Sequence, residues 1–223
     1  MKLYYHPAST TSRPLMLFCA ENGVKADMQL VDLFTGEHTQ PPYVEINPNR
    51  LVPVLEDDGF RLTESSAILK YLADKVDSPT YPKDLRERAR VNERMDWINT
   101  QLNRDLAYGL VYPQIFPGHK RPDASVQAAT LAWARERVQG WMKVLDENLI
   151  GAKNAYLCGA KITIADYYAA PFVALNEALG SDLSNYPNVK RWLGNMKALK
   201  SWGKVNEVIA GFAASLKGPF EKV

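Results

Sequence analysis

The chain has 223 residues, with 27 Lys plus Arg against 25 Asp plus Glu, a net charge of +2 and an apolar fraction of 46%. That length suits one large or two small domains with a real core, and the balanced charge lacks the clustered basic footprint of a nucleic-acid binder. No apolar run approaches the ~20 residues that span a bilayer, and Met1-Lys2-Leu3-Tyr4-Tyr5-His6-Pro7 has no apolar signal-peptide core or cleavage site, so a cytoplasmic protein without membrane contact is expected.

Strand and helix signals alternate through residue 76, the mark of an α/β unit. Lys2–Tyr5 reads as a strand. Pro14–Glu21 reads as a helix with Leu15, Phe18 and Cys19 on one face, stopping at Asn22-Gly23. Gln29–Leu33 reads as a second strand, and a polar stretch broken by Pro41, Pro42 and Pro48 follows it. Val52–Glu56 and Arg61–Thr63 form a hairpin around Asp57-Asp58-Gly59. Ser65–Val76 is a closing helix with Ile68, Leu69 and Leu72 on its apolar face. Residues 77–84 are rich in breakers and read as a linker. Beyond it the strand signals vanish. Leu85–Tyr112 and Ala124–Leu149 are long helices separated by Pro113–Pro122, with further helices at Ile164–Ala178, Val189–Met196 and Ser201–Ala214. Thr163 and Asp166 have the spacing of a capping box, with Ile162 and Tyr167 placed as its hydrophobic staple.

Two segments could carry chemistry. Val52-Pro53 opens a strand with a residue that has no N–H, an unusual place for Pro and a candidate cis bond. The hairpin then leads through Glu64 into a helix whose first N–H groups and positive dipole end suit an anion. The other segment is Ser9-Thr10-Thr11-Ser12, four hydroxyl residues just before a helix. Taken alone they are more simply loop and cap residues. They have the Cys-x-x-Cys spacing with oxygen in place of sulfur, so dithiol redox chemistry is disfavoured. Cys19 and Cys158 lie in no Cys/His cluster, and no metal site is expected.

Val52-Pro53 followed by Glu64-Ser65-Ser66-Ala67-Ile68 resembles the glutathione-binding signature of cytosolic glutathione transferases. His6-Pro7-Ala8-Ser9-Thr10-Thr11-Ser12-Arg13 resembles the opening of their serine-type classes, phi most closely, with theta and delta near. Gly36-Glu37-His38, Ile46-Asn47-Pro48 and Ile162-Thr163-Ile164-Ala165-Asp166 continue the resemblance in the family's order.

The resemblance implies an α/β thioredoxin-like N-terminal domain (residues 1–76) that binds glutathione. An all-α C-terminal helical bundle domain (residues 85–223) would complete the pocket for a small hydrophobic electrophile. It implies glutathione as co-substrate, no metal, and a homodimer. Ser9 falls at the position that hydrogen-bonds the glutathione sulfur, with Ser12 as runner-up and Tyr5 third. Arg13 and the start of the following helix would assist. Glu64 would meet the γ-glutamyl ammonium and Ser65 its carboxylate. Val52, held by Pro53, would pair with the cysteinyl backbone. His38 would face the glycine carboxylate. Leu51 and Thr39 depart from the polar or basic residues frequent beside that end, with Arg50 able to compensate. Tyr108 and Tyr112, four apart on one helix face, and Phe116 beyond them are candidate walls for the electrophile pocket, although ordinary helix packing would equally account for them. The implied activity is attack of a glutathione thiolate on an electrophilic carbon, by conjugation or dehalogenation. The alternatives are reduction of organic peroxides through the same thiolate, and a non-catalytic scaffold module of transferase-like fold.

Overall fold

The computed structural model describes all 223 residues. Four strands, β1 (Lys2–Tyr5), β2 (Asp27–Leu30), β3 (Val54–Asp57) and β4 (Phe60–Leu62), form one mixed sheet in the order β2-β1-β3-β4. β1 and β2 are parallel, joined by helix α1 (Arg13–Asn22), while β3 runs antiparallel to both β1 and β4. The crossover obeys the rule that parallel neighbours need an intervening helix. Asp58 and Gly59 both take positive φ, 49° and 84°, as a tight two-residue hairpin turn requires. Helices α2 (Pro41–Val44) and α3 (Ser65–Lys75) complete this half. Ile68, Leu69 and Leu72 of α3 are buried as their spacing predicts.

The second strand lies earlier than the expected Gln29–Leu33. Its register begins at Lys2 opposite Asp27 and runs out with β1 at Tyr5 opposite Leu30. Beyond it, Asp32 Oδ1 accepts the N–H groups of Phe34 (2.8 Å) and Thr35 (3.3 Å), an Asx-type turn that competes with the ladder.

The rest is helical: α4 (Leu85–Trp97), α5 (Tyr112–Ile115), α6 (Ala124–Val144), α7 (Ile164–Val173), α8 (Pro187–Lys197) and α9 (Trp202–Ser215). The first long helix does not stop before Pro113, as its sequence suggested. A π-wound stretch over Ile98–Val111 carries it into α5, with the Tyr112 N–H reaching back five residues to the Ala107 carbonyl. Pro113 then falls at the start of a new turn, where its missing N–H is harmless.

One hydrophobic core runs through both halves, from Leu3, Leu15 and Phe18 to Leu106, Tyr168 and Trp192. Phe18 of α1 meets Tyr167 of α7 edge-to-face at 5.7 Å. The 77–84 segment is docked rather than solvated. Ser78, Thr80 and Tyr81 are buried, and the Thr80 carbonyl accepts the Ile164 N–H at 2.9 Å. The capping box forms as the sequence predicts. Asp166 takes the Thr163 N–H at 2.8 Å and also accepts Leu157 N–H and the Trp192 indole N–H.

Candidate active site

The loop between β1 and α1 wraps around Ser9. Its N–H donates to the His6 carbonyl at 3.0 Å, and its carbonyl receives Arg13 N–H at 3.2 Å. The Ser12 N–H donates to Ser9 Oγ at 3.2 Å, and the Thr11 hydroxyl oxygen lies 3.0 Å from the same atom. A backbone donor on Ser9 Oγ polarises the hydroxyl and makes its proton a better donor. Thr11 in turn donates to the Val52 carbonyl at 2.9 Å, linking the loop to the segment that precedes β3. The Val52–Pro53 bond is cis.

Ser12 is not placed as its sequence position suggested. It stands at the N-cap of α1, yet its side chain makes no cap bond. Its buried hydroxyl accepts the His6 N–H at 3.4 Å, inside the fold and off the cleft. Ser65 likewise does not cap its own helix, because Glu64 takes the cap position. Glu64 adopts φ 65°, ψ 110°, a region that costs a non-glycine residue of order 1–3 kcal/mol and persists where the surroundings impose it. Such strain clusters at ligand sites, and Glu64 and Ser65 line a cavity.

That cavity has a volume of about 290 Å³ and is lined mostly by polar residues, among them Thr11, Glu64, Ser65 and Arg104, together with Val52 and Pro53. A second, larger one of about 610 Å³ is mainly apolar and holds Ser9, Thr10, His38, Arg50, Tyr112 and Phe116. Thr11, Leu51, Val52 and Tyr108 line both, so the two are halves of one cleft, with the Ser9 loop at the seam. The structure thus brings Ser9, His38, Arg50, Val52, Pro53, Glu64, Ser65, Tyr108, Tyr112 and Phe116 to one cleft, and leaves Ser12 and Tyr5 outside its lining. Arg13 also points elsewhere. Its guanidinium is buried against Asn206 Oδ1 (2.7 Å) and the Pro171 carbonyl (3.3 Å), and burial lowers its pKa to about 10.

The larger half has an aromatic wall. Tyr108 and Tyr112 pack at 5.1 Å between ring centroids and Tyr112 and Phe116 at 5.4 Å, with Phe212 stacked on Phe116. The Tyr112 hydroxyl donates to Thr10 Oγ1 at 2.9 Å, next to Ser9. Burial pushes Tyr112 up to about 12, and burial together with the nearby Glu64 charge raises Tyr108. Neither phenol is a thiolate-like base at neutral pH.

Sequence reasoning missed three contributors. His119 joins the aromatic wall at 5.2 Å from Tyr112, and burial followed by the charge of Arg121 lowers its pKa. His6 sits at the other end, its Nδ1 accepting the Ala8 N–H at 3.2 Å, and burial lowers its pKa against the opposing pull of Asp32. All three histidines of the chain therefore line one cavity. No local pattern marks the first two, since they meet only through the fold. Thr11 is the third, and its place in the hydroxyl cluster was the available signal.

Comparison with known proteins fits this cleft. Residues 8–75 match the family model of the glutathione S-transferase N-terminal domain, and residues 111–200 that of the C-terminal domain. Human glutathione S-transferase theta-1 is 34% identical over 171 residues, covering 76% of this chain and 70% of the relative. A Nilaparvata lugens delta-class glutathione transferase superposes with a TM-score of 0.77 at 33% identity over 96% of each chain. Human glutathione transferase theta-2, solved in complex with glutathione, gives 0.84 at 27% identity, over 96% of this chain and 88% of that one. The chain belongs to the glutathione S-transferase family.

Proposed function

We propose that the protein activates the thiol of glutathione as a thiolate for attack on small hydrophobic electrophiles, joining them to glutathione through sulfur, with Ser9 as the hydrogen-bond donor to the thiolate. One observation carries this reading: Ser9 lines the larger, apolar cavity, and Thr11, 3.0 Å from its hydroxyl, lines both that cavity and the polar, peptide-sized one beside it. In this reading residues 1–76 seat glutathione, residues 85–223 supply the electrophile wall, and residues 77–84 join them. Glu64 meets the γ-glutamyl ammonium, Ser65 its carboxylate, and the Val52 backbone the cysteinyl amide. Arg50 and His38 face the glycine carboxylate. His38 Nδ1 is buried without a protein partner, which suits a group that receives one from a ligand.

A free thiol has a pKa of about 8.5, so it is mostly protonated at neutral pH. Lowering it by roughly two units takes about 2.7 kcal/mol of preference for the anion. One neutral hydroxyl supplies part of that, and the N-terminal end of α1, directly behind the loop, adds its dipole. The thiolate then attacks the electrophilic carbon held against Tyr108, Tyr112 and Phe116, forming the C–S bond as the leaving group departs with its electron pair.

The proposal includes a homodimer, with exposed Phe60 on edge strand β4 and Trp133 on α6 as available apolar surface. It also includes a reducing, cytoplasmic setting, in keeping with the free thiols of Cys19 and Cys158. The test pairs glutathione titration with turnover of an aryl or alkyl halide. Saturable binding and halide release are expected. Turnover of a hydroperoxide alone would shift the assignment to peroxide reduction. No binding of glutathione would leave a scaffold.

A further inference from the structure

We propose that the Thr11 hydroxyl is a positioning group, a rotating relay that turns docking of the glutathione backbone on Val52 into orientation of the Ser9 proton toward sulfur. The hydroxyl protons of this cluster can be counted. Each hydroxyl carries one, and a carbonyl carries none. Thr11 spends its proton on the Val52 carbonyl at 2.9 Å. The 3.0 Å contact between Ser9 Oγ and Thr11 Oγ1 must then be filled by the proton of Ser9. The remaining close donor to Ser9, the Ser12 N–H at 3.2 Å, already uses an acceptor site of Ser9 Oγ. In this arrangement, therefore, the Ser9 proton points at Thr11 and not into the cleft.

For Ser9 to donate to a thiolate it must turn away from Thr11. The two oxygens would then face each other at 3.0 Å with no proton between them, unless Thr11 rotates and donates to Ser9. That rotation releases the Val52 carbonyl, which needs a new donor, and the cysteinyl N–H of a peptide laid along Val52 is one. Docking of the peptide amide, rotation of Thr11 and rotation of Ser9 are thus one exchange of hydrogen bonds. No proton changes its oxygen, and no bond to carbon forms or breaks. Thr11 also lines both halves of the cleft, which places the relay between the peptide seat and the reacting sulfur.

The inference rests on the reading of Ser9 as the thiolate donor, and the test separates the two. The pKa of enzyme-bound glutathione is read from thiolate absorbance against pH, in parallel with glutathione affinity, for Thr11→Val, Thr11→Ser, Ser9→Ala and the double variant Thr11→Val/Ser9→Ala. Thr11→Val removes the hydroxyl that donates to Ser9 once Ser9 has turned to sulfur, and is expected to cut the thiolate fraction at pH 7 about three- to tenfold, with Thr11→Ser restoring it; an unchanged or larger thiolate fraction in Thr11→Val would show that Thr11 only competes for the Ser9 proton and would overturn the relay. In the Ser9→Ala background Thr11→Val is expected to change the thiol pKa no further, because the relay has lost its output. Additive shifts in the double variant, or failure of serine to restore the thiolate, would overturn the relay while leaving Ser9 in its role. An unshifted thiol pKa in Ser9→Ala would remove the Ser9 reading and the relay with it.

Discussion

At the scale of single residues, Ser9 and Ser12 are three positions apart and differ in place: Ser9 lines the cleft, and Ser12 is buried inside the fold. Under the proposed function, Ser9→Ala removes one donor to the thiolate. A diffuse sulfur anion gains less from a hydrogen bond than an oxyanion, whose lost donor costs about 10²–10³ in turnover. The expected loss is roughly 10–100-fold, about 1.4–2.7 kcal/mol, with the pH profile of turnover moved upward. Ser12→Ala leaves the buried His6 N–H without its acceptor and is expected to lower stability by about 1–3 kcal/mol without moving the thiol pKa. Paired denaturant titrations and thiolate spectra check both. Glu64 offers a sharper contrast. Its exposed side chain sits on a backbone turned to φ 65°. Glu64→Gly relieves that turn and is expected to raise stability by about 1 kcal/mol while weakening glutathione affinity. A variant that both melts earlier and binds unchanged would contradict both halves of that expectation.

At the scale of elements, two buried carboxylates pin helices. Asp105 lies in the π-wound stretch and accepts from Arg104, from Arg137 at 2.8 Å and from the Trp141 indole at 2.7 Å, the last two on α6. Burial works to raise its pKa, and the Arg104, Trp141 and Arg137 contacts outweigh it, so the carboxyl stays below its ordinary value. A depressed carboxylate stabilises the fold above its unfolded pKa of about 3.9, and that contribution is lost as the pH falls through the folded value. Asp105→Asn is expected to cost about 1.5–3 kcal/mol at pH 7, a deficit that shrinks below about pH 4. Urea unfolding at the two pH values checks the sign. Asp166 joins the N-terminus of α7 to Leu157 and to Trp192 of α8, and Asp166→Ala is expected to cost about 2–4 kcal/mol by stranding several donors at once. Helix spacing and the capping box were legible at this scale because they are local. The passage of a helix through Pro113 was not, since it depends on a change of winding that only packing selects. The end of β2 was set by the length of β1, which no window of its own sequence contains.

At the scale of the whole molecule, the cleft was legible where the resemblance supplied an order of motifs, and obscure where the fold alone assembles it. Val52, Glu64 and Ser65 announce themselves in a run of residues, whereas His6 and His119 reach one wall from positions 113 apart in the chain. The same limit hid the shared core. Leu15, Phe18 and Leu69 pack in one body with Tyr167, Tyr168 and Trp192, and the Thr80 carbonyl is bonded to the start of α7. Separate domain cores would melt in two steps. A continuous one is expected to give a single calorimetric transition whose van't Hoff and measured enthalpies agree. Residues 1–84 expressed alone would expose the apolar faces of α1 and α3 and are expected to aggregate or remain unfolded. The consequence reaches into how variation in this protein should be interpreted. A substitution under α7 or α8 that loosens the body also loosens the glutathione seat, through a change in the fraction of molecules able to bind. Genetic screens for lost transferase activity would then recover helical-half lesions as though they were site lesions. Unfolding measured without glutathione, in which the first kind loses stability and the second does not, would tell a broken scaffold from a broken contact.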